Sequence, residues 1–155
     1  MSDTIHKPRL GLYAGSFDPF HIGHLDIVRQ AMEEYDEVLV AKGVNPEKFS
    51  KITTRYPLPE NFLRELGVKW TTYDTLLVDL IKVWEKHYKV TLVRGLRNEF
   101  DLGQEQNFIA FLKGMHKVRV VAFHSEPQYR HISSSALRGI EHFSDAEYRK
   151  YVVEN

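Results

Sequence analysis

The residues best suited to chemistry lie in one short stretch near the start of the chain. Residues 13–24 read Tyr-Ala-Gly-Ser-Phe-Asp-Pro-Phe-His-Ile-Gly-His, directly after the apolar residues 10–12. This pattern predicts a strand that ends in a glycine-bearing turn and leads into a helix with His21 and His24 in its first turn. The first N–H groups of a helix lack intrahelical partners and lie at the positive end of its dipole. Such a junction is therefore suited to binding phosphate.

The small and polar residues of this stretch have physical reasons to lie near an anion. Gly15 lets the backbone approach a ligand closely, and Gly23 leaves room beside the helix for a flat base or a ribose. Ser16 contributes a hydroxyl group, and His24 contributes a donor that can be charged near neutral pH. Asp18 is expected to be a turn-stabilising acceptor rather than a catalyst.

The two histidines also have other interpretations. They could be a pair of surface residues, with Gly23 only starting the helix. They could instead share a metal ion, since His21 and His24 lie on one helical face. We expect no metal here, because no cysteine or acidic residue with ligand spacing lies nearby. The upstream Gly-Ser-Phe-Asp-Pro favours a nucleotide-binding site.

A pair of arginines forms the second candidate group. The sequence Arg94-Gly95-Leu96-Arg97 follows the fourth apolar run and is itself followed by Asp101. Arginine as the last residue of an apolar strand is costly to bury unless it meets an anion or a carboxylate. An ion pair with Asp101 is the structural alternative. Two arginines and a glycine at a strand end favour phosphate binding.

Hydroxyl groups form the third candidate group, in the sequence His131-Ile132-Ser133-Ser134-Ser135. Serines ahead of a helix are usually N-caps, and that interpretation is favoured for this segment taken alone. Hydroxyl groups together with free N–H groups also make a phosphate cradle. Lys48, taken alone, is interpreted as a solvated surface lysine.

The elements that must position these groups alternate along the chain. Apolar runs predict strands at 10–14, 37–44, 68–73, 90–93 and 118–123. Helical periods predict helices at 22–34, 76–88, 102–115, 133–140 and 145–152, with a short helix ending at Leu66. The alternation predicts an α/β fold, a Rossmann-like doubly wound five-stranded parallel sheet with helices on both faces. Ligands of such sheets bind beyond the carboxyl ends of the strands, where the candidate groups are expected.

Length and composition limit the possible classes of function. The 155 residues suffice for one domain with a substantial core, spanning residues 1–155. Lys plus Arg and Asp plus Glu both number 21, so no global field favours nucleic acid or an anionic membrane. No apolar run is long enough to span a bilayer, and the polar start resembles no signal peptide. With no cysteine available for disulfides, we expect a cytoplasmic protein.

Taken together, these segments resemble the nucleotidyltransferase superfamily that shares a HIGH-type signature with class I aminoacyl-tRNA synthetases. The Arg-Gly-Leu-Arg segment and the run from Ile132 to Ser135 narrow the resemblance to the phosphopantetheine adenylyltransferases, over about residues 10–140. This resemblance implies transfer of AMP from ATP to 4′-phosphopantetheine, which gives dephospho-coenzyme A and pyrophosphate in coenzyme A biosynthesis. It also implies in-line attack without a covalent intermediate, Mg²⁺ as cofactor, and a homo-oligomer, specifically a hexamer.

The same resemblance implies roles for individual residues. His24 would bind the α-phosphate and stabilise the transition state, and Ser16 would face both substrates. Lys48 and Arg94 would hold the phosphate of 4′-phosphopantetheine, with Leu77 along the pantetheine arm. The other implied ATP contacts are Phe17, Gly95, Leu96, Arg97, Glu105, Tyr129, Arg130, His131, Ile132, Ser133, Ser134 and Ser135.

Three segments depart from the family pattern. They are residues 102–104, residues 52–60, and the stretch between Asp79 and Arg94, which is longer by about one helical turn. Two other functions stay open. A sister enzyme would act on another phosphorylated acceptor, such as nicotinamide mononucleotide or glycerol 3-phosphate. A non-catalytic nucleotide-sensing module would bind ATP without turnover.

Overall fold

A five-stranded parallel sheet forms the centre of the protein, as predicted. The computed structural model describes residues 6–44 and 55–155, with only the backbone of residues 99–105. The strands are β1 (Arg9–Gly15), β2 (Glu37–Gly43), β3 (Lys69–Tyr73), β4 (Lys89–Leu96) and β5 (Arg119–His124). Their order in the sheet is β3-β2-β1-β4-β5. The chain starts at β1 in the centre, builds outward to β3 and then crosses to β4, so the strand order reverses between β1 and β4.

The helices agree with the predicted positions, with shifts at their ends. They are α1 (Ile22–Glu34), α2 (Glu60–Leu66), α3 (Leu77–Trp84), α4 (Glu99–Met115), α5 (Ser134–Phe143) and α6 (Asp145–Arg149). The prediction for α1 is correct at both ends. Helix α3 is shorter than predicted, because His87 donates its N–H to the carbonyl of Trp84 and tightens the chain into turns. A short 3₁₀ turn, Pro127–Tyr129, precedes α5.

The fourth strand is longer than its apolar run. We predicted a strand at 90–93 with Arg94 at its end, but the backbone stays paired with β5 as far as Leu96, which lies opposite His124. The prediction was wrong because apolar runs report which side chains are buried, whereas pairing depends only on backbone groups. Arg94 and Gly95 are therefore part of the sheet. As successive residues of a strand, they face opposite sides of it.

Helices cover both faces of the sheet, as predicted. One apolar cluster joins Ile27 and Val28 of α1 and Leu63 of α2 to the sheet. The other joins Ile81 of α3 and Leu112 of α4 to the opposite face. Both faces of the central strands are consequently buried, and the sheet is a rigid support for groups at its carboxyl edge. Within the described ranges, no helix has the length and apolarity needed to cross a bilayer.

Gly11 leaves room for an aromatic ring to pack on the face of the sheet that α1 and α2 cover. A Cβ atom added to Gly11 would lie 2.6 Å from Cδ2 of Tyr35, whose ring packs against the sheet. We expect Gly11→Ala to lower the free energy of unfolding by about 1–3 kcal/mol, because the ring or the strand must shift. Urea unfolding followed by circular dichroism would measure this loss.

A matched control for Gly11 lies in α4. A Cβ atom added to Gly114 would meet nothing within 4 Å. Gly114→Ala should leave stability unchanged or raise it by up to about 1 kcal/mol, because alanine favours a helix more than glycine does. Equal effects of the two substitutions would contradict the packing explanation.

Candidate active site

The two histidines of the motif close the start of α1 through their own ring nitrogens. Nδ1 of His21 accepts the N–H of Gly23 at 3.0 Å and that of His24 at 3.4 Å. Nδ1 of His24 accepts the N–H of His21 at 3.1 Å, which completes a capping box. Because Nδ1 is an acceptor in both rings, a neutral ring carries its proton on Nε2. The Nε2–H of His24 is then the group that the ring can offer to a ligand.

Both rings are neutral near pH 7, although the sequence allowed His24 to be charged there. Burial is the main cause that lowers the pKa of His24 well below its usual range, and His21, Arg97 and Lys42 lower it further. Burial also lowers the pKa of His21 from 6.5 to about 4, with a smaller contribution from Arg97. The two rings stack with centroids 3.6 Å apart. His24 can therefore offer an anion a neutral hydrogen-bond donor.

The lowered pKa values predict a loss of stability in acid. Between pH 6.5 and about 4 the unfolded chain binds a proton at His21 that the native state does not bind. The free energy of unfolding must then fall as the pH falls through this range, by about 2 kcal/mol for His21 alone between pH 7 and pH 5. Urea unfolding at several pH values would measure the slope.

Replacing His21 tests the source of that slope. His21→Asn keeps a cap acceptor but has no titrating ring, so its stability should fall less steeply towards pH 5. The parent chain, measured at the same pH values, gives the reference slope. An unchanged slope in His21→Asn would contradict the assignment.

A small cavity lies beside the histidine-capped end of α1, at the carboxyl ends of β1 and β4. Its volume is about 140 Å³. It brings together five of the residues predicted to contact ATP, which are His24, Gly95, Arg97, Tyr129 and Ile132. Its other lining residues are Tyr13, His21, Gly23, Ile27 and Ser125. The cavity thus joins residues from the first, second and third candidate groups.

A larger open groove, of about 680 Å³, lies at the same edge of the sheet. It is lined by Ser16, Leu77 and Arg94, three of the four residues predicted to contact the acceptor. Arg94 donates to the carbonyl of Ala14 at 2.9 Å, and its guanidinium lies 4.7 Å from the centre of the Phe108 ring. Because successive residues of a strand face opposite sides, Arg94 borders the groove while Gly95 borders the cavity.

Several predicted residues do not line either hollow. Arg130 donates to the carbonyl of Ser125, Ser133 caps α5 by accepting the N–H of Ala136, and Ser134 donates to the carbonyl of Pro19. Leu96 is buried, and His131 and Ser135 are exposed. Phe17 packs its ring on the ring of His24 at 4.9 Å. Lys48 lies outside the described residues, as does the side chain of Glu105.

Side chains from three other elements hold the carbonyl groups between Ala14 and Pro19. Two of these side chains, Lys42 of β2 and Arg138 of α5, were not predicted as site residues. A lysine directly after the apolar run Val-Leu-Val-Ala, inside the predicted strand, was the available signal for the first of them. The donors and their acceptor carbonyls are Arg94 to Ala14, Lys42 to Ser16 and Phe17, Arg138 to Asp18, and Ser134 to Pro19.

Residues 151–153, distant in sequence, form backbone contacts with residues 20–22 at the start of α1. The N–H of Ile22 donates to the carbonyl of Tyr151 at 2.9 Å, and the N–H of Val153 donates to the carbonyl of Phe20 at 3.0 Å. An isolated antiparallel bridge joins His21 to Val152 between them. This contact satisfies one of the first N–H groups of α1 and fixes where the helix begins.

The parallel sheet, the histidine-capped helix and the two hollows at one edge define a nucleotidyltransferase with a HIGH-type signature. A family model described as Cytidylyltransferase-like matches residues 12–140. A phosphopantetheine adenylyltransferase from Streptococcus pneumoniae (strain CGSP14) is 36% identical over 152 residues, covering 95% of this chain and 91% of that protein. The chain belongs to the phosphopantetheine adenylyltransferase family.

Other relatives support this assignment. The phosphopantetheine adenylyltransferase of Flavobacterium johnsoniae is 33% identical over 135 residues, covering 85% of this chain and 87% of the relative. A solved structure described as a nicotinate-nucleotide adenylyltransferase from Vibrio parahaemolyticus superposes with a TM-score of 0.57 over 94% of this chain and 87% of that one. At 17% identity, that likeness concerns the fold alone.

Proposed function

We propose that this protein transfers AMP from ATP to 4′-phosphopantetheine and releases pyrophosphate, giving dephospho-coenzyme A. One observation carries the proposal most directly. The cavity bordered by His24 and the groove bordered by Arg94 both lie at the carboxyl ends of β1 and β4, one on each side of these strands. A nucleotide in one and a phosphorylated acceptor in the other would have their reacting phosphates close together. Family membership supports the choice of these two substrates.

The nucleotide side would stabilise charge at the α-phosphate. The Nε2–H of His24 would donate to an α-phosphate oxygen, and the positive end of the α1 dipole lies at the same place. Arg97 lines this cavity and would contribute a cation to the phosphate chain. A neutral donor fixed by its neighbours needs no reorganisation as charge develops in the transition state.

The acceptor side would position the nucleophile. Arg94 and Lys48 would together hold the terminal phosphate of 4′-phosphopantetheine. Leu77 would contact its pantetheine arm along the groove. Most phosphate monoester groups are ionised at pH 7, so an acceptor oxygen can attack in line without a strong general base. Catalysis would then consist of positioning and charge neutralisation, with no covalent enzyme intermediate.

Magnesium belongs to the proposal as a partner of ATP. Among the described side chains, no cluster of three or more His, Asp or Glu residues could form a protein cage for a metal ion. The chemistry fits a Mg²⁺ ion held mainly by the oxygens of the triphosphate, as is common for this ion. When bound there, it would supply charge neutralisation to the departing pyrophosphate.

Assembly and location belong to the same proposal. We propose a homo-oligomer, a hexamer in line with the family resemblance, and a cytoplasmic enzyme. Large apolar side chains on α3 and α4, including Val83, Phe111 and Met115, are more than half exposed, which supports contacts between copies. Light scattering after size exclusion would give the mass of the assembly, and cell fractionation would give the location.

The decisive experiment is to incubate the protein with ATP, Mg²⁺ and 4′-phosphopantetheine and look for dephospho-coenzyme A by mass. Nicotinamide mononucleotide and glycerol 3-phosphate would be offered in parallel, with pyrophosphate release as the common measure. Faster release with either of these would replace the proposed acceptor. ATP binding without pyrophosphate release from any acceptor would favour the nucleotide-sensing alternative.

A further inference from the structure

Lys42 occupies an unusual place for a lysine. It lies in β2, next to the central strand, and directly follows four buried residues, Val38, Leu39, Val40 and Ala41. Its own side chain is only 3% exposed. Burying an ammonium group is expensive unless all of its donors are satisfied and its charge is paired.

The ammonium group of Lys42 has all of its contacts with the turn formed by residues 16–18. It contacts the carbonyl of Ser16 at 2.5 Å and the carbonyl of Phe17 at 3.3 Å. It also forms an ion pair with the carboxylate of Asp18, which is 13% exposed on its side chain. An ammonium group has three N–H donors, and here three oxygens of three consecutive residues receive them.

Phe17 is the residue of this turn whose backbone needs such support. Its φ is 49°, in the left-handed region that residues with a side chain rarely adopt. Its ring is 3% exposed and lies edge-on to the ring of His24, with centroids 4.9 Å apart and planes at 89°. The same ring contacts the rings of Tyr13 and Phe20. The conformation of Phe17 thus fixes one wall around the imidazole of His24.

We propose that Lys42 is a positioning residue for AMP transfer, which holds the 16–18 turn in place and, through Phe17, aligns the imidazole of His24 with the α-phosphate. The proposal rests on the function proposed above for its kinetic consequences, but its structural consequence concerns His24 alone. Lys42 does not need to touch either substrate, since its three donors already have acceptors within the turn.

The kinetic test compares Lys42→Met with the parent chain. Methionine has a similar length without the charge, so the turn loses its donors. We expect kcat to fall by about 10- to 100-fold, because small misplacements of a catalytic group are costly, while the KM for ATP changes by less than about threefold. A double variant, Lys42→Met with Asp18→Asn, removes the buried lone carboxylate and should fold better while its kcat stays low. Parent-like kcat per folded molecule in both variants would overturn the proposal.

The chain has no cysteine, which permits a chemical rescue at this one position. Lys42→Cys would be alkylated in denaturant with 2-bromoethylamine, which restores an ammonium group at nearly the length of lysine, and then refolded. Alkylation with 1-iodopropane gives a neutral side chain of similar shape as the matched control. The aminoethylated protein should regain most of the lost kcat and the propylated protein should not. Equal activity of the two adducts would show that shape rather than the ammonium group matters.

Imidazole NMR signals give a readout that does not depend on turnover. The ring of His24 faces His21, Arg97 and Lys42, the charged or titratable groups that lower its pKa. In Lys42→Met the ring signals of His24 should move as the Phe17 ring moves, and the pKa of His24 should rise because one cation is gone. Unchanged His24 signals would overturn the positioning role. Absence of AMP transfer in the parent chain would instead refute the proposed function and leave this readout to decide the role of Lys42.

Discussion

Replacing His24 with alanine should lower kcat by about 10²- to 10³-fold, the effect of removing one preorganised donor to a charged transition state. The Kd for ATP should change much less, because the Nε2–H contributes most when charge develops at the α-phosphate. Single-turnover kinetics and isothermal calorimetry would separate the two quantities. Equal losses in kcat and in ATP affinity would mean that His24 binds only the ground state.

Two amide variants separate the roles of the two ring nitrogens of His24. The amide oxygen of His24→Asn can take the place of Nδ1 and accept the N–H of His21, a bond of 3.1 Å in the parent chain. This variant should keep the stability of the parent and lose activity as alanine does. The longer side chain of His24→Gln can place an amide donor near the position of Nε2 and should keep part of the activity. The reverse order of activities would contradict the assigned tautomer.

Replacing Arg94 with alanine should lower kcat/KM for 4′-phosphopantetheine by about 10²-fold, because a charged donor to the acceptor phosphate is lost. The KM for ATP should change little, since Arg94 borders the groove and not the cavity. Arg94→Lys should be intermediate. It keeps the charge but loses the planar group that lies 4.7 Å from the Phe108 ring centre.

Arg64 provides a control of the same chemical kind. Its guanidinium lies 5.1 Å from the ring of Trp70, and it lines neither hollow. Arg64→Ala should leave the KM for ATP and the KM for 4′-phosphopantetheine unchanged. This result would show that removing an arginine–aromatic contact is not in itself enough to impair the enzyme. A rise in the KM for ATP in Arg94→Ala would contradict the division of the site into two hollows.

Much of the fold could be predicted because it follows from local patterns. Apolar runs separated by helical periods sufficed for the five strands, and residues 22–34 were predicted correctly as a helix. The extension of β4 to Leu96 was missed because it depends on pairing with β5, a neighbour that the local pattern does not describe. Helix ends were predicted less accurately for the same reason.

The grouping of candidate site residues could be predicted where basic side chains follow the ends of strands, as with His24, Arg94 and Arg97. The structure brings these to one edge of the sheet. The sequence alone could not show that His24 is neutral, since its pKa depends on burial and on neighbours from distant elements. It also could not show the use of Lys42, because only the folded turn reveals the three oxygens around its ammonium group.

The bridge between His21 and Val152 has a consequence for the folding of the chain during its synthesis. The carbonyl that receives the N–H of Ile22 belongs to Tyr151, so this bond at the start of α1 can form only after nearly all of the described chain has been synthesised. Bringing such distant segments together costs loop-closure entropy, which makes this contact a late event in folding. We therefore expect a nascent chain to form its sheet before residues 151–153 close over the start of α1.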